Sequence, residues 1–166
     1  MVINRELMDK LSAQAKASTQ KRVHFDLRNS GEDKSQRMLN VLEPGTVIPI
    51  HRHRNTNEIL CLLRGSIIEY LYDNNGVRTD SFTLKAGSDS AALLIPAGVW
   101  HEPKCLEEGT VLLTVKDGPY KELGDIDFLV AVIESEEIKE FAEYVGSNYC
   151  GFQKQKNGKS IQEVLE

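Results

Sequence analysis

The chain has 166 residues, enough for one domain with a sizeable core, and its 40% hydrophobic and 27% charged residues are ordinary for a globular protein. With 20 Lys and Arg against 25 Asp and Glu, the formal net charge is -5, which argues against a nucleic-acid or anionic-membrane partner held by bulk charge. The cysteines Cys61, Cys105 and Cys150 form no CxxC pair and no disulfide framework. With no apolar signal-like run at the N-terminus and no stretch long enough to span a bilayer, the expected setting is a reducing cytoplasm.

Asn4 to Ala17 reads as a helix, with Leu7, Met8, Leu11 and Ala15 on one face and Asn4 as its cap. The period then changes. In "KRVHFDL", Val23, Phe25 and Leu27 share one strand face. "SGEDKS" is loop chemistry, and from Arg37 short strands alternate with turns at Pro44-Gly45, Gly65, Asp73 to Gly76, Pro96 to Gly98 and Gly118-Pro119. "DNNG" between "SIIEYLYD" and "VRTDSFTL" is a hairpin signal. Several short strands at such intervals indicate a sandwich or barrel. Ser135 to Val145 reads as a second helix, capped by Ser135 and striped by Ile138, Phe141, Ala142 and Val145. The expected division is an N-terminal helix over 1–20, a β-domain over 21–120 and a helical extension with a polar tail over 121–166.

The chemistry concentrates in "PGTVIPIHRHRNTNEILCLLRG". His51 and His53 are two apart and share a strand face, and Glu58 opens the next strand, where a hairpin would set it opposite them. Three such ligands make a facial set, and His101, after the Pro96-Ala97-Gly98 turn, is a fourth candidate. Imidazoles with one carboxylate suit Zn, Fe, Mn, Ni, Co or Cu better than Ca or Mg. Taken singly, each has a plainer reading: surface histidines at a strand start, an edge charge, a hydrogen-bonded rim histidine.

Together the residues resemble the cupin superfamily. Gly45, His51, His53, Glu58 and Gly65 match the motif G(X)5HXH(X)3-4E(X)6G at every fixed position. Pro96, Gly98 and His101 match part of the second motif, G(X)5PXG(X)2H(X)3N, with Ser90 in place of its first Gly and Cys105 in place of its Asn. Over roughly residues 1–130, "QAKAS", "SQRMLNVLEPG", "IPAGVWHE", "VKDGPY" and "DIDF" follow the order seen in WbuC-type cupin fold metalloproteins, which often occur in bacterial O-antigen gene clusters. Thr114 stands where that family has an acidic residue, and "LVAVIE" replaces its "WAP"-like segment. The resemblance implies an all-β cupin (a jelly-roll, double-stranded β-helix barrel) with a helix at each end, one divalent transition-metal ion held by His51, His53, Glu58 and His101, and a homodimer.

The reaction stays open at this level, and no catalytic residue is assigned. The first expectation is a metal-dependent enzyme on a small sugar-like or carbonyl substrate, of isomerase or epimerase type, linked to surface-polysaccharide synthesis. The alternatives are a non-catalytic metal-stabilised sugar-binding or regulatory cupin and an Fe-dependent dioxygenase. The expected partner is a small sugar-like or anionic ligand, with no nucleic acid and no membrane. Arg37 and Asn40 are candidate pocket residues, with structural hydrogen bonds as the alternative. Tyr70 and Tyr72 would face the interior if Glu69 faced solvent, either lining the pocket or finishing the core. Trp100 should point away from His101, and Cys61 and Cys105 read as inert.

Overall fold

The computed structural model describes residues 1–121, 123 and 127–129. The expected Ser135 to Val145 helix lies outside them. Helix α1 (Arg5–Ala17) starts where Asn4 Oδ1 accepts the Leu7 N–H at 3.0 Å, one of the donors a helix start leaves unpaired. Eight strands follow: β1 (Arg22–Asp26), β2 (Ser35–Leu42), β3 (Glu58–Arg64), β4 (Ser66–Tyr72), β5 (Arg78–Lys85), β6 (Ala92–Ile95), β7 (Trp100–Cys105) and β8 (Thr110–Asp117). They form a five-stranded sheet in the order β1-β2-β8-β3-β6 and a three-stranded sheet in the order β5-β4-β7, with every pairing antiparallel.

Strand alternation gives the larger sheet two distinct faces. Leu39, Val41 and Val111 are buried against Leu11 and Ala15 of α1, with Val23 and Phe25 packed at the edge of that cluster. The intervening residues turn the other way, where Leu42, Leu60, Leu62 and Leu112 meet Ile67 and Leu84 of the smaller sheet. Burying an aliphatic side chain of this size contributes about 1.5–3 kcal/mol. The fold is held by two apolar layers, one under the helix and one between the sheets.

Gly65 carries the chain from β3 to β4, that is, from one sheet to the other. Its φ is 74°, and a Cβ there would lie 2.9 Å from the Thr110 Cα. Both facts call for glycine at this crossing. The hairpin at Asp73 to Gly76 is present: Asp73 Oδ1 accepts the Asn75 and Val77 N–H groups at 2.8 and 2.9 Å, and Gly76 takes φ 78°.

The segment between Leu42 and Glu58 departs from the expected hairpin. His51 does not pair with β3. It exchanges two backbone hydrogen bonds with His101, His51 N to His101 O at 3.0 Å and the reverse at 2.8 Å. On its other side it bridges Phe128, and Arg52 N and Leu129 N donate to Asp127 O and Ile50 O. Residues expected in the C-terminal extension thus lie beside the histidine segment. A hairpin was the shortest connection the sequence offered, but the carbonyls of His51 and His53 find donors on His101 and Gly98 instead.

Candidate metal centre

Cross-strand register builds the site in rows. On the inward face of the larger sheet, Gln36, Lys116, Glu58 and Ile95 stand side by side on β2, β8, β3 and β6. The next row holds Met38, Thr114, Leu60 and Leu93, and the one below it Asn40, Leu112 and Leu62. Polarity therefore rises along the strands, from an apolar floor toward the row of Glu58. The smaller sheet supplies His101 opposite Leu71, and Pro103 opposite Glu69. A cavity of about 540 Å³ opens between these faces.

At its polar end one donor atom each from His51, His53, Glu58 and His101 gathers, all within 4.8 Å of one another. Glu58 Oε2 lies 3.1 Å from His101 Nε2 and 3.4 Å from His53 Nε2. His51 Nδ1 is 3.0 Å from Pro49 O, and His101 Nδ1 is 2.9 Å from Val99 O. A carbonyl only accepts, so both Nδ1 atoms carry the proton and both Nε2 lone pairs are left for a ligand. Backbone carbonyls thereby fix tautomer and ring orientation, as the outer partners of metal-bound histidines do. The Pro96–Gly98 turn locks onto this unit: Gly98 N donates to His53 O at 2.9 Å, and Ala97 N to Asn57 Oδ1 at 2.8 Å.

Electrostatics favour the ligand forms. Burial, with repulsion from His101 second, lowers His51 to about 3, so its imidazole is neutral. Burial would raise the Glu58 carboxyl, but its close contacts with the His101 and His53 rings and the charge of Lys116 outweigh it and hold the group well below its usual value. Three imidazoles and one carboxylate with their lone pairs turned together fit a divalent transition metal. The cluster is capable of chelating such an ion.

Residues 3–84, just under half the chain, match a family described as a domain of unknown function (DUF6016). No curated protein matches the chain. Among solved structures, two variants of Bacillus subtilis oxalate decarboxylase align at 20% and 19% identity with TM-scores of 0.52, each over 74% of this chain and 32% of theirs. The cupin domain of Schizosaccharomyces pombe Cnp3 aligns at 16% identity with a TM-score of 0.47, over 61% of this chain and 67% of its own. The chain has a cupin-like fold of two antiparallel sheets. At these identities the likeness concerns the fold alone.

Within this cupin fold the other sequence candidates separate. Asn40 lines the cavity and donates to Thr114 Oγ1 at 2.8 Å. Arg37 does not line it, because it is on the opposite face of β2, where it pairs with Asp33 and donates to Ser35 Oγ at 2.8 Å. Tyr70 and Tyr72 also stay outside the cavity. The Arg78 guanidinium lies 3.7 Å from the Tyr70 ring centroid, and Tyr72 Oη donates to Glu102 Oε1 at 2.5 Å. Glu69 turns inward in their place and is 0% exposed. The condition on which Tyr70 and Tyr72 would face the interior is thus not met: Ile67 and Glu69 share the face that meets the larger sheet, which sends the tyrosines out.

Trp100 points away from the histidines, donating to Asn74 Oδ1 at 3.0 Å beneath Arg52. Burial raises the Cys105 thiol, which donates to the Glu107 carbonyl at 3.1 Å, and both favour the thiol over the more nucleophilic thiolate. Sequence reasoning missed Lys116, whose Nζ is 2.9 Å from His53 Nε2 and 3.3 Å from Glu58 Oε1. Its alternation with Leu112 and Thr114 was a signal for an inward position, but only the register sets it beside Glu58.

Proposed function

We propose that the chain is a metal-dependent enzyme of the WbuC-type cupin kind, acting on a small sugar-like or carbonyl substrate in isomerase- or epimerase-class chemistry linked to bacterial surface-polysaccharide synthesis. The observation that carries this reading is the convergence of His51, His53, Glu58 and His101 in a half-open cavity between the sheets. An ion held there would polarise a carbonyl or hydroxyl oxygen, or lower the pKa of a bound water. The chain's own groups would do the rest. Lys116, beside Glu58, offers a cation to an anionic or oxygen-rich substrate. Leu60, Leu112 and Pro103 in the cavity wall exclude water from its inner part. The reading includes a cytoplasmic setting, a homodimer and no nucleic-acid or membrane partner; the net charge of -5 supports the lack of a polyanionic partner held by bulk charge.

Elemental analysis of freshly purified protein tests the centre. One divalent ion per chain is expected, and His51→Ala, His53→Ala, Glu58→Ala and His101→Ala should each lower metal affinity by at least about tenfold. Unchanged metal content would overturn the ligand assignment. Nucleotide sugars and sugar phosphates, screened with oxygen uptake recorded in parallel, then test the chemistry. Turnover without oxygen consumption supports the isomerase reading. Metal-dependent oxygen uptake replaces it with a dioxygenase, and saturable binding without turnover replaces it with a binding module.

A further inference from the structure

Glu69 poses a problem that packing does not solve. It is 0% exposed on β4, and neither Oε1 nor Oε2 has a hydrogen-bond partner among the described residues. An unsatisfied buried carboxyl costs about 1–3 kcal/mol, and an aliphatic residue of similar volume would avoid that cost. Its inward neighbour Ile67 belongs to the apolar floor, so the position sits between that floor and His101. Glu69 lines the same cavity as Glu58 and His101.

A second orphan belongs to the wall of the same cavity. Gln36, 6% exposed, lines the cavity. Its Nε2 donates to the Pro119 carbonyl at 3.3 Å, which fixes the amide orientation and leaves Oε1 without a partner among the described residues. An amide oxygen only accepts, so whatever satisfies it must carry a donor. A bare carboxylate or an aromatic ring has none to give. A hydroxyl group both donates and accepts, and suits both orphans. Burial, and then the carboxylates of Glu58 and Glu102, push the Glu69 carboxyl up to about 9. Its two oxygens accept from a hydroxyl, and the protonated form donates to one as well.

We propose that Glu69 is a substrate-contacting, specificity-determining residue that hydrogen-bonds a hydroxyl of a polyhydroxylated ligand, with Gln36 Oε1 accepting from a second hydroxyl. This rests on the metal-centre reading above and narrows its substrate class. The ligand is a small polyol or sugar acid whose hydroxyls satisfy Glu69 and Gln36 while an oxygen at its other end faces His101 and Glu58. Compounds of the same length without hydroxyls leave both orphans unpaired, and the site discriminates against them.

The test uses the full chain loaded with Mn²⁺, two probes of equal carbon number, and metal content measured on every sample. Gluconate carries hydroxyls along its chain; hexanoate carries none. Calorimetric titration of the unaltered protein should show gluconate bound at least about tenfold more tightly than hexanoate. Glu69→Leu should cut that ratio at least about fivefold, Gln36 supplying what preference is left, with metal content unchanged, whereas Glu69→Gln, which keeps a donor and an acceptor, should hold it within about threefold of the parent. Glu69→Leu should also melt about 2–8 °C higher, since an apolar side chain replaces an unpaired carboxyl. A purely structural Glu69 would give a lower melting temperature and an unmoved ratio. Metal-loaded protein that binds neither probe, or whose preference survives Glu69→Leu undiminished, overturns the role of Glu69 alone. Unaltered protein that takes up no metal overturns the centre itself.

Discussion

Leu112 and Lys116 lie on the same strand and face the same side, yet one sits in an aliphatic layer and the other among ionisable groups. Around Leu112, the contacts of Leu42, Leu60, Leu62, Ile67, Leu84 and Ile95 are non-directional, and their worth scales with area removed from water. Around Lys116, each group is placed by a specific partner: Pro49 and Val99 carbonyls on two imidazoles, His101 and His53 on Glu58. The floor supplies stability and tolerates changes of shape. The polar end costs desolvation and gains from geometry. A strand pair can serve both because the register moves every inward residue of one row into the next without changing the backbone.

The sharpest way to separate the two regions is a pair of truncations. Ile67→Ala in the floor should cost about 2–5 kcal/mol in denaturant unfolding while metal content per folded chain stays unchanged. A floor truncation that also empties the metal centre would mean that the two ends are one mechanical unit. Lys116→Met acts in the opposite sense. It removes a cation from beside His53 Nε2 and Glu58 Oε1, so competition titration with a chelator should show metal held more tightly, by roughly 0.2–1 kcal/mol or more given how little the pair is exposed. Binding of small anions to the loaded protein should weaken at the same time. Weaker metal binding in Lys116→Met would show that the lysine orients the ligands rather than competing with the ion.

The finest distinction is in pH. In the folded chain Glu69 ionises near 9, far above the 4.5 of an unburied glutamate. Below about 4.5 both folded and unfolded chains hold the proton, and the group adds no pH dependence. As pH rises the unfolded chain loses that proton first, so Glu69 destabilises the fold progressively until about 9. Glu69→Gln should therefore match the parent near pH 4 and exceed it increasingly from pH 5 to pH 8 in thermal unfolding. A gain that is constant with pH would show a packing effect and no burdened carboxyl.

The sequence made some of this legible for local reasons. The Asn4 cap, the α1 stripe and the Asp73 to Gly76 turn depend on residues within four positions of one another, and all appear as read. The four donor residues were legible because motif spacing and a proline-glycine turn are local signals too. What stayed hidden is non-local. Alternation in "SIIEYLY" defines two faces but does not say which is inward, since Ile67 with Glu69 and Ile68 with Tyr70 are equally mixed. An inward place for the tyrosines depends on Glu69 facing water, as charges usually do, and the buried Glu69 carboxyl removes that condition. Lys116 becomes a site residue only when β8 aligns with β3, and the pairing of His51 with His101 joins segments 50 positions apart.

That last pairing sets how the centre assembles. Because His51 and His101 exchange main-chain hydrogen bonds, two ligands from distant segments are held at a fixed spacing by peptide groups that no side-chain substitution removes. The spacing of these two ligands is thus set by main-chain pairing as well as by any ion they hold, and a chelator should strip metal from the purified protein without unfolding the chain.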